Sequence, residues 1–96
     1  MRRKETQKIS DLLKQFTRES AYEQKILENR LISNWPKVLG TGIANATRNV
    51  YIFNRTLFVS IDSSVMRHEL LMLRSQILEA LNQSVGAKII DQIIFK

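Results

Sequence analysis

The side chains that could carry out catalysis are few and scattered in this chain. His68 is the only histidine, and it lies beside Glu69 near the start of a predicted helix. General base catalysis by histidine needs an orienting partner and a nucleophile, and the neighbouring sequence offers neither, so we interpret His68 as a solvated or capping residue. Asp62, Glu79 and Asp91 are predicted to lie on a helix cap, a helix face and a strand. This scatter argues against a metal cluster or an acid/base pair.

The composition also argues against an enzyme. The chain has 96 residues, no cysteine and one histidine, which excludes disulfide bonds, thiolate metal sites and multi-histidine metal sites. The segment Gly40-Thr41-Gly42 lacks the third glycine and the Lys-Ser/Thr pair of a phosphate-binding loop. A domain of this size has one hydrophobic core and little room for a deep substrate pocket. We therefore predict a non-enzymatic protein with no cofactor, no metal and no small-molecule substrate.

The basic residues indicate the class of partner. The chain has 15 Lys and Arg against 9 Asp and Glu, a formal net charge of +6, which favours nucleic acid. Residues 31–61 contain basic but no acidic residues, so we expect a positively charged surface there. The alternative is that these charges only solubilise the protein. The predicted nucleic-acid-binding residues are Arg2, Arg3, Lys4, Lys37, Arg48, Arg55, Arg67 and Arg74.

Hydrophobic periodicity predicts the helices that precede this basic segment. Residues 1–8 are polar and charged and are expected to form a flexible basic arm, and residues 9–96 are expected to form a single domain. Apolar residues at helical spacing predict helices at about 6–17 and 20–35, separated by the polar stretch 17–20. Pro36 is expected to end the second helix, with Trp35 as a core residue. A short helical turn is expected to continue to Ala46.

A change of period to two after Asn49 predicts strands. Strands are expected at about 49–54 and 56–61, joined in a hairpin by the two-residue turn Asn54-Arg55. Tyr51 and Phe53 lie on one face of the first strand. They are either an exposed platform for base stacking or part of a strand whose two faces are both partly buried.

The C-terminal third of the chain predicts a helix and a third strand. The helix is expected at about 64–84, with N-cap oxygens before it, an apolar stripe that includes Leu70, Leu73 and Ile77, and Gly86 at its end. The strand is expected at about 88–95. Because a helix connects the second and third strands, they should run parallel. The predicted fold class is α+β, with helices packed on one face of a three-stranded sheet in the order α-α-β-β-α-β; the strand order stays open.

No segment predicts a membrane span. The apolar run Leu70–Leu73 is far shorter than the roughly 20 residues that a span requires, and the N-terminus leads into no apolar signal core. We expect a cytoplasmic protein with no membrane partner.

Five short segments carry a family resemblance. They are Trp35-Pro36-Lys37-Val38-Leu39-Gly40-Thr41-Gly42-Ile43-Ala44, Asn54-Arg55-Thr56-Leu57-Phe58-Val59, Ser63-Ser64-Val65-Met66-Arg67-His68-Glu69-Leu70, Leu81-Asn82 and Ile93-Ile94-Phe95. With them the chain resembles the DciA family of bacterial replicative-helicase loaders over nearly its whole length. The resemblance implies a KH-like fold and a non-enzymatic adaptor. Such an adaptor binds the replicative helicase and single- or double-stranded DNA, without sequence preference, to promote helicase loading.

The long helix is the expected docking element for a protein partner. Its apolar surface is widened by Met66, Leu71 and Met72, so it needs a cover from another helix or from a partner. These three are the predicted partner-binding residues. In the resemblance, Met66 stands where many members have tryptophan, and Arg55 where many have glycine. The alternative function is a stand-alone RNA- or single-strand-binding KH-like module, for which the basic hairpin and the aromatic strand face would suffice.

Overall fold

The computed structural model describes residues 9–96, with side chains from Ala21 onward, as four helices and a three-stranded sheet. The predicted arm at 1–8, with Arg2, Arg3 and Lys4, lies outside the described residues. The helices are α1 (Ile9–Leu39), α2 (Thr41–Ala46), α3 (Ser64–Met72) and α4 (Arg74–Val85). The strands are β1 (Thr47–Phe53), β2 (Thr56–Ile61) and β3 (Gln92–Phe95).

A single long helix, α1, takes the place of the two helices predicted before the basic segment. It runs through residues 17–20 without a break and continues past Pro36 to Leu39, so the predicted break and the predicted end at Pro36 were wrong. Serine and threonine cost a helix only a few tenths of a kcal/mol each, roughly, which is too little to interrupt it. Pro36 lies in the last turn, where the buried Trp35 anchors the helix and Gly40 N–H donates to Pro36 O at 2.8 Å.

The hairpin forms as predicted. β1 and β2 are antiparallel, with Phe53 paired to Thr56, and the turn residues Asn54 and Arg55 have φ values of 54° and 61°. Positive φ at both central residues is typical of the hairpin turn whose twist matches the strands. β3 is parallel to β2, as predicted, and the sheet order is β1-β2-β3. β3 begins only at Gln92, so the expected strand over 88–95 was too long at its start.

The long helix predicted over 64–84 is divided at Leu73 into α3 and α4. Leu73 N–H donates to Leu70 O at 3.1 Å, which is the tighter hydrogen bond of a 3₁₀ turn. Because the axis changes there, Leu70 and Ile77 are buried while Leu73, between them, is half exposed. The predicted ends are confirmed: Ser63 Oγ accepts from Met66 N–H, and Gly86 closes α4 in the left-handed conformation.

The core lies between the helices and one face of the sheet. This arrangement confirms the α+β class, with two corrections to the helices: α1 takes the place of two predicted helices, and the predicted long helix is split into α3 and α4. The KH-like likeness stays a prediction. None of the described helices combines the length and hydropathy needed to cross a membrane. The buried residues are Leu31 and Trp35 of α1, Leu57, Val59, Ile61 and Ile93 of the sheet, Leu70, Ile77 and Leu81 of α3 and α4, and Ile89 and Ile90 before β3.

One side chain, Asn82 of α4, holds the segment that leads into β3. Its Oδ1 accepts from the backbone N–H of Ile89 at 2.9 Å and of Ile90 at 3.1 Å, and its Nδ2 donates to Ile90 O at 3.0 Å. Ile89 and Ile90 are buried, and these backbone groups lie outside any helix or strand. Buried backbone groups without hydrogen-bond partners are costly. The side-chain amide of Asn82 supplies the hydrogen bonds that a helix or strand would otherwise provide to these groups.

We expect Asn82→Ala to lower the free energy of unfolding by about 2–4 kcal/mol, because it leaves buried backbone groups unpaired. Urea unfolding followed by circular dichroism measures this loss. Gln83→Ala, at the exposed neighbouring position, is the control and should change stability by less than about 0.5 kcal/mol. An Asn82→Ala protein as stable as the control would contradict the assignment.

Candidate nucleic-acid and partner surfaces

Two of the three cations in the predicted basic segment are paired in the structure. Arg48 Nε lies 2.8 Å from Asp62 Oδ1, and Arg55 Nε lies 2.9 Å from Asp91 Oδ2. Both carboxylates come from outside residues 31–61, which contain no acidic residue. Asp62 directly follows this segment, and Asp91 lies much further along the chain, just before β3. The fold therefore offsets part of the positive charge that the segment carries. Lys37, the third cation, is exposed near the end of α1.

Arg55 fastens the hairpin turn to the segment before β3. Its Nη2 also donates to Asp91 Oδ1 at 3.2 Å and to Lys88 O at 2.9 Å, while Asp91 N–H donates to Arg55 O at 2.7 Å. The side-chain hydrogen bond between the two residues lowers the pKa of Asp91 below its ordinary value and raises the pKa of Arg55. The left-handed backbone at Arg55 suits glycine better, so here an arginine accepts some strain and gains these contacts.

The other predicted nucleic-acid-binding residues are spread over the helices. Arg67 Nη1 donates to Ile61 O at 2.7 Å and so connects α3 to the end of β2. Arg74 is exposed at the start of α4. Within the described residues neither Arg74 nor Lys37 takes part in an ion pair. The structure thus gives Arg48, Arg55 and Arg67 contacts within the fold and leaves Lys37 and Arg74 as exposed cations.

The face of the sheet opposite the helices, which we call the open face, exposes aromatic side chains. Tyr51 and Phe58 are register partners on β1 and β2, with ring centroids 4.9 Å apart and planes inclined by only 14°. Phe53 is 70% exposed, and Ile94 of β3 is also exposed. Phe53 is therefore exposed as the platform alternative predicts, whereas Tyr51 is only 38% exposed, and base stacking on these rings stays a prediction. The open face comprises Asn49, Tyr51, Phe53, Thr56, Phe58, Ser60, Gln92 and Ile94.

An ammonium group lies above the two stacked rings. Lys96 Nζ is 5.2 Å from the Tyr51 ring centroid and 5.3 Å from that of Phe58, and it donates to Tyr51 Oη at 3.1 Å. Lys96 continues the parallel pairing beyond β3, since its N–H donates to Val59 O at 2.8 Å. Our sequence analysis missed Phe58 and Lys96 as candidates. The alternation of β2 contains the signal for Phe58, which lies between the buried Leu57 and Val59.

The predicted partner-binding residues divide into exposed and packed ones. Leu71 and Met72 are exposed, Met72 by 71%, whereas Met66 is partly buried against the core. Val65 and Leu73 are exposed as well. Neither was predicted to bind a partner, and Leu73 was predicted to lie in the apolar stripe with Leu70 and Ile77. Val65 and Met72 are seven residues apart, so they lie on the same side of α3. We call the set Val65, Leu71, Met72 and Leu73 the α3 apolar surface.

Catalytic chemistry has no visible site in the part of the chain with described side chains. No group of three His, Asp or Glu side chains there could hold a metal ion. His68 is exposed on α3 and makes no side-chain hydrogen bond among the described residues.

Comparison with known proteins agrees with the segments singled out in the sequence. A family model described as "Dna[CI] antecedent, DciA" matches residues 8–95. A curated protein of Corynebacterium glutamicum (strain R), named UPF0232 protein, is 36% identical over 61 residues, which are 64% of this chain and 34% of that protein. The match thus spans about a third of the length of this curated relative.

The contact between Arg55 and Asp91 predicts a pH-dependent stability. Because folding lowers the pKa of Asp91, its contribution is fully present above the ordinary carboxyl pKa of 3.8 and is lost as the pH falls through the lowered value. Wild type should be more stable than Asp91→Asn at pH 7, and the difference should vanish in acid. Urea unfolding midpoints between about pH 7 and pH 2 measure it. In an Arg55→Gln background Asp91→Asn should have much less effect, and an equal effect there would contradict the pairing.

Proposed function

This chain belongs to the DciA family, and from this membership we propose that it is a non-enzymatic adaptor in bacterial DNA replication. It binds the replicative helicase, binds DNA weakly and without sequence preference, and promotes helicase loading. ATP hydrolysis is left to its partners. The observation that carries this proposal beyond the family is the α3 apolar surface, which the domain leaves exposed.

The α3 apolar surface has the composition of a protein contact. Binding energy at protein interfaces is concentrated in a few apolar or aromatic anchors that become fully desolvated, with polar residues around them. Met72 and Leu71 are such anchors, and Arg74, His68 and Glu69 are exposed beside them. Methionine is flexible and adapts to an irregular partner surface. We therefore propose this surface as the docking site for the helicase.

DNA binding in the proposal rests on phosphate contacts. The net charge of +6 favours a polyanion, and phosphate neutralisation needs only accessible Lys or Arg. Lys37 and Arg74 are the best-placed side chains with described positions, since Arg48, Arg55 and Arg67 are engaged in contacts within the fold. Arg2, Arg3 and Lys4 remain candidates from the sequence. Few phosphate contacts mean weak binding that depends on salt.

We expect Met72→Glu, and likewise Leu71→Glu, to weaken binding to the cognate helicase by about 30-fold or more, because a carboxylate replaces a desolvated anchor. Biolayer interferometry with immobilised helicase measures this, in the presence and absence of nucleotide. Gln76→Glu adds the same charge at an exposed position of α4 and should bind like wild type. Met66→Glu is a poor test, since Met66 packs against the core.

Two results would contradict the helicase proposal. One is wild-type protein that shows no helicase binding at tens of micromolar in any nucleotide state. The other is a folded Met72→Glu protein that binds as well as Gln76→Glu. In the first case the stand-alone nucleic-acid-binding module, which the exposed Tyr51 and Phe53 favour, becomes the better account.

The phosphate contacts predict a salt dependence. The logarithm of the duplex binding constant should fall with the logarithm of the salt concentration by about 0.9 per phosphate contacted. Lys37→Glu combined with Arg74→Glu should reduce this slope by about two contacts. Fluorescence anisotropy with a labelled duplex measures it. The matched control is Lys25→Glu, which reverses one charge elsewhere on α1; an unchanged slope in the double variant would place the phosphates on other residues.

A further inference from the structure

The open face carries aromatic rings and the ammonium group of Lys96, and we infer that it is a stacking site for the bases of single-stranded nucleic acid. This inference rests on the proposed function and deepens it, because it names the ligand and the residues that bind it. Phe53, Tyr51 and Phe58 would take the bases, and Lys96 would take a phosphate.

The ring geometry suits consecutive bases. Tyr51 and Phe58 are stacked on each other with nearly parallel planes, so a base would stack on the outer face of this pair. Phe53 lies two residues further along β1 on the same face, at a spacing of about 7 Å for a strand. Aromatic side chains on the faces of other small sheets stack two or three bases in this manner. Every base has a π-face, so such contacts are tolerant of sequence.

The charges of this face favour a polynucleotide over a protein. The strand residues on the open face are uncharged, and the ammonium of Lys96 reaches over them. Asp62, which lines the same depression as Lys96, is paired with Arg48 and not with Lys96. An apolar protein partner would bury this ammonium without an anion, which is costly. A polynucleotide brings one phosphate with each base. The aromatic rings alone could contact either a protein or a polynucleotide. The position of Lys96 favours the polynucleotide.

A second cation lies close to Lys96. Arg48 and Lys96 line the same depression at the edge of the open face, together with Ser60, Ile61 and Asp62. Asp62 is paired with Arg48, and Arg48 is 75% exposed beyond that contact. A phosphate held by Lys96 would thus lie in the same depression as the exposed guanidinium of Arg48. The sugar-phosphate backbone of a bound strand would then run from the aromatic rings toward Arg48.

A duplex cannot use this site in the same way. Its bases are stacked on each other and present only their edges in the grooves, so their faces cannot reach Phe53 or Tyr51. We expect the open face to contribute to single-strand binding and not to duplex binding. Lys96 lies over the rings in the unbound protein and has to move aside when a base stacks there. Its flexible side chain then reaches a phosphate of the bound strand.

The test measures anisotropy of labelled single-stranded dT12 and U12 and of a 12-base-pair duplex with wild type, Phe53→Ala and Tyr51→Ala. We expect about tenfold weaker binding to both single strands in the variants, and duplex binding within about twofold of wild type. Tyr22→Ala is the matched control for Phe53→Ala, since Tyr22 is an aromatic residue of α1 that is as exposed as Phe53. Tyr51→Phe keeps the ring and should bind like wild type. Comparing dT12 with U12 shows whether the ligand is DNA or RNA.

Lys96→Ala tests the phosphate contact separately. It should reduce the salt slope for the single strand by about 0.7, the value for one contact, whereas Phe53→Ala should leave the slope unchanged. Phe53 is exposed, so its variant keeps the test valid even if Tyr51→Ala fails to fold.

Three results would overturn the inference. They are a wild type that does not bind either single strand, a Phe53→Ala protein that binds single strands like Tyr22→Ala, and equal losses for single strand and duplex. Helicase binding by Phe53→Ala separates this inference from the proposed function. If Phe53→Ala binds the helicase normally and any of these three results is found, the inference is overturned while the proposed helicase adaptor is not.

Discussion

The three hydrogen bonds of Asn82 are the constraint on which the sheet depends. A parallel third strand requires the chain to leave α4, reverse direction and enter beside β2, over a segment with no regular hydrogen bonding. That segment must also place Ile89 and Ile90 in the core. The side chain of Asn82, on α4, forms hydrogen bonds with the backbone of this segment. The end of the helix and the start of the strand are therefore fixed relative to each other. With β3 in place, β2 becomes the central strand, and Leu57 and Val59 are buried.

The fold of so small a domain is asymmetric, and its functional surfaces follow from this asymmetry. The described helices pack on one side of the sheet, and the residues available suffice for one core. The opposite side is therefore left with Tyr51, Phe53 and Phe58, which a larger domain would cover with a second layer. On the helical side, the break at Leu73 turns an apolar residue outward beside Met72. Both surfaces are consequences of how the core is built.

Local patterns in the sequence predict the elements well and the contacts between distant segments poorly. The alternation over 49–61 and the turn at Asn54-Arg55 depend only on neighbouring residues, and the hairpin is confirmed. The pairing of Arg55 with Asp91 spans 36 residues, so a count of charges along the chain could not show it. The break at Leu73 is likewise set by packing, since no glycine or proline marks it. Lys96 became a candidate only when the parallel register placed it above Tyr51.

The two proposed surfaces lie on different sides of the sheet, and this separation matters for an adaptor. The α3 apolar surface belongs to a helix whose Leu70 packs into the core, whereas the open face is on the far side of β2. A helicase on α3 and a single strand on the open face would therefore not compete for the same residues. Once the helicase is bound, DNA held by the same domain is at an effective concentration that can reach roughly millimolar. Under the proposed function, weak and sequence-independent contacts to DNA would then suffice to bring the two together, and they would still release the strand after helicase loading.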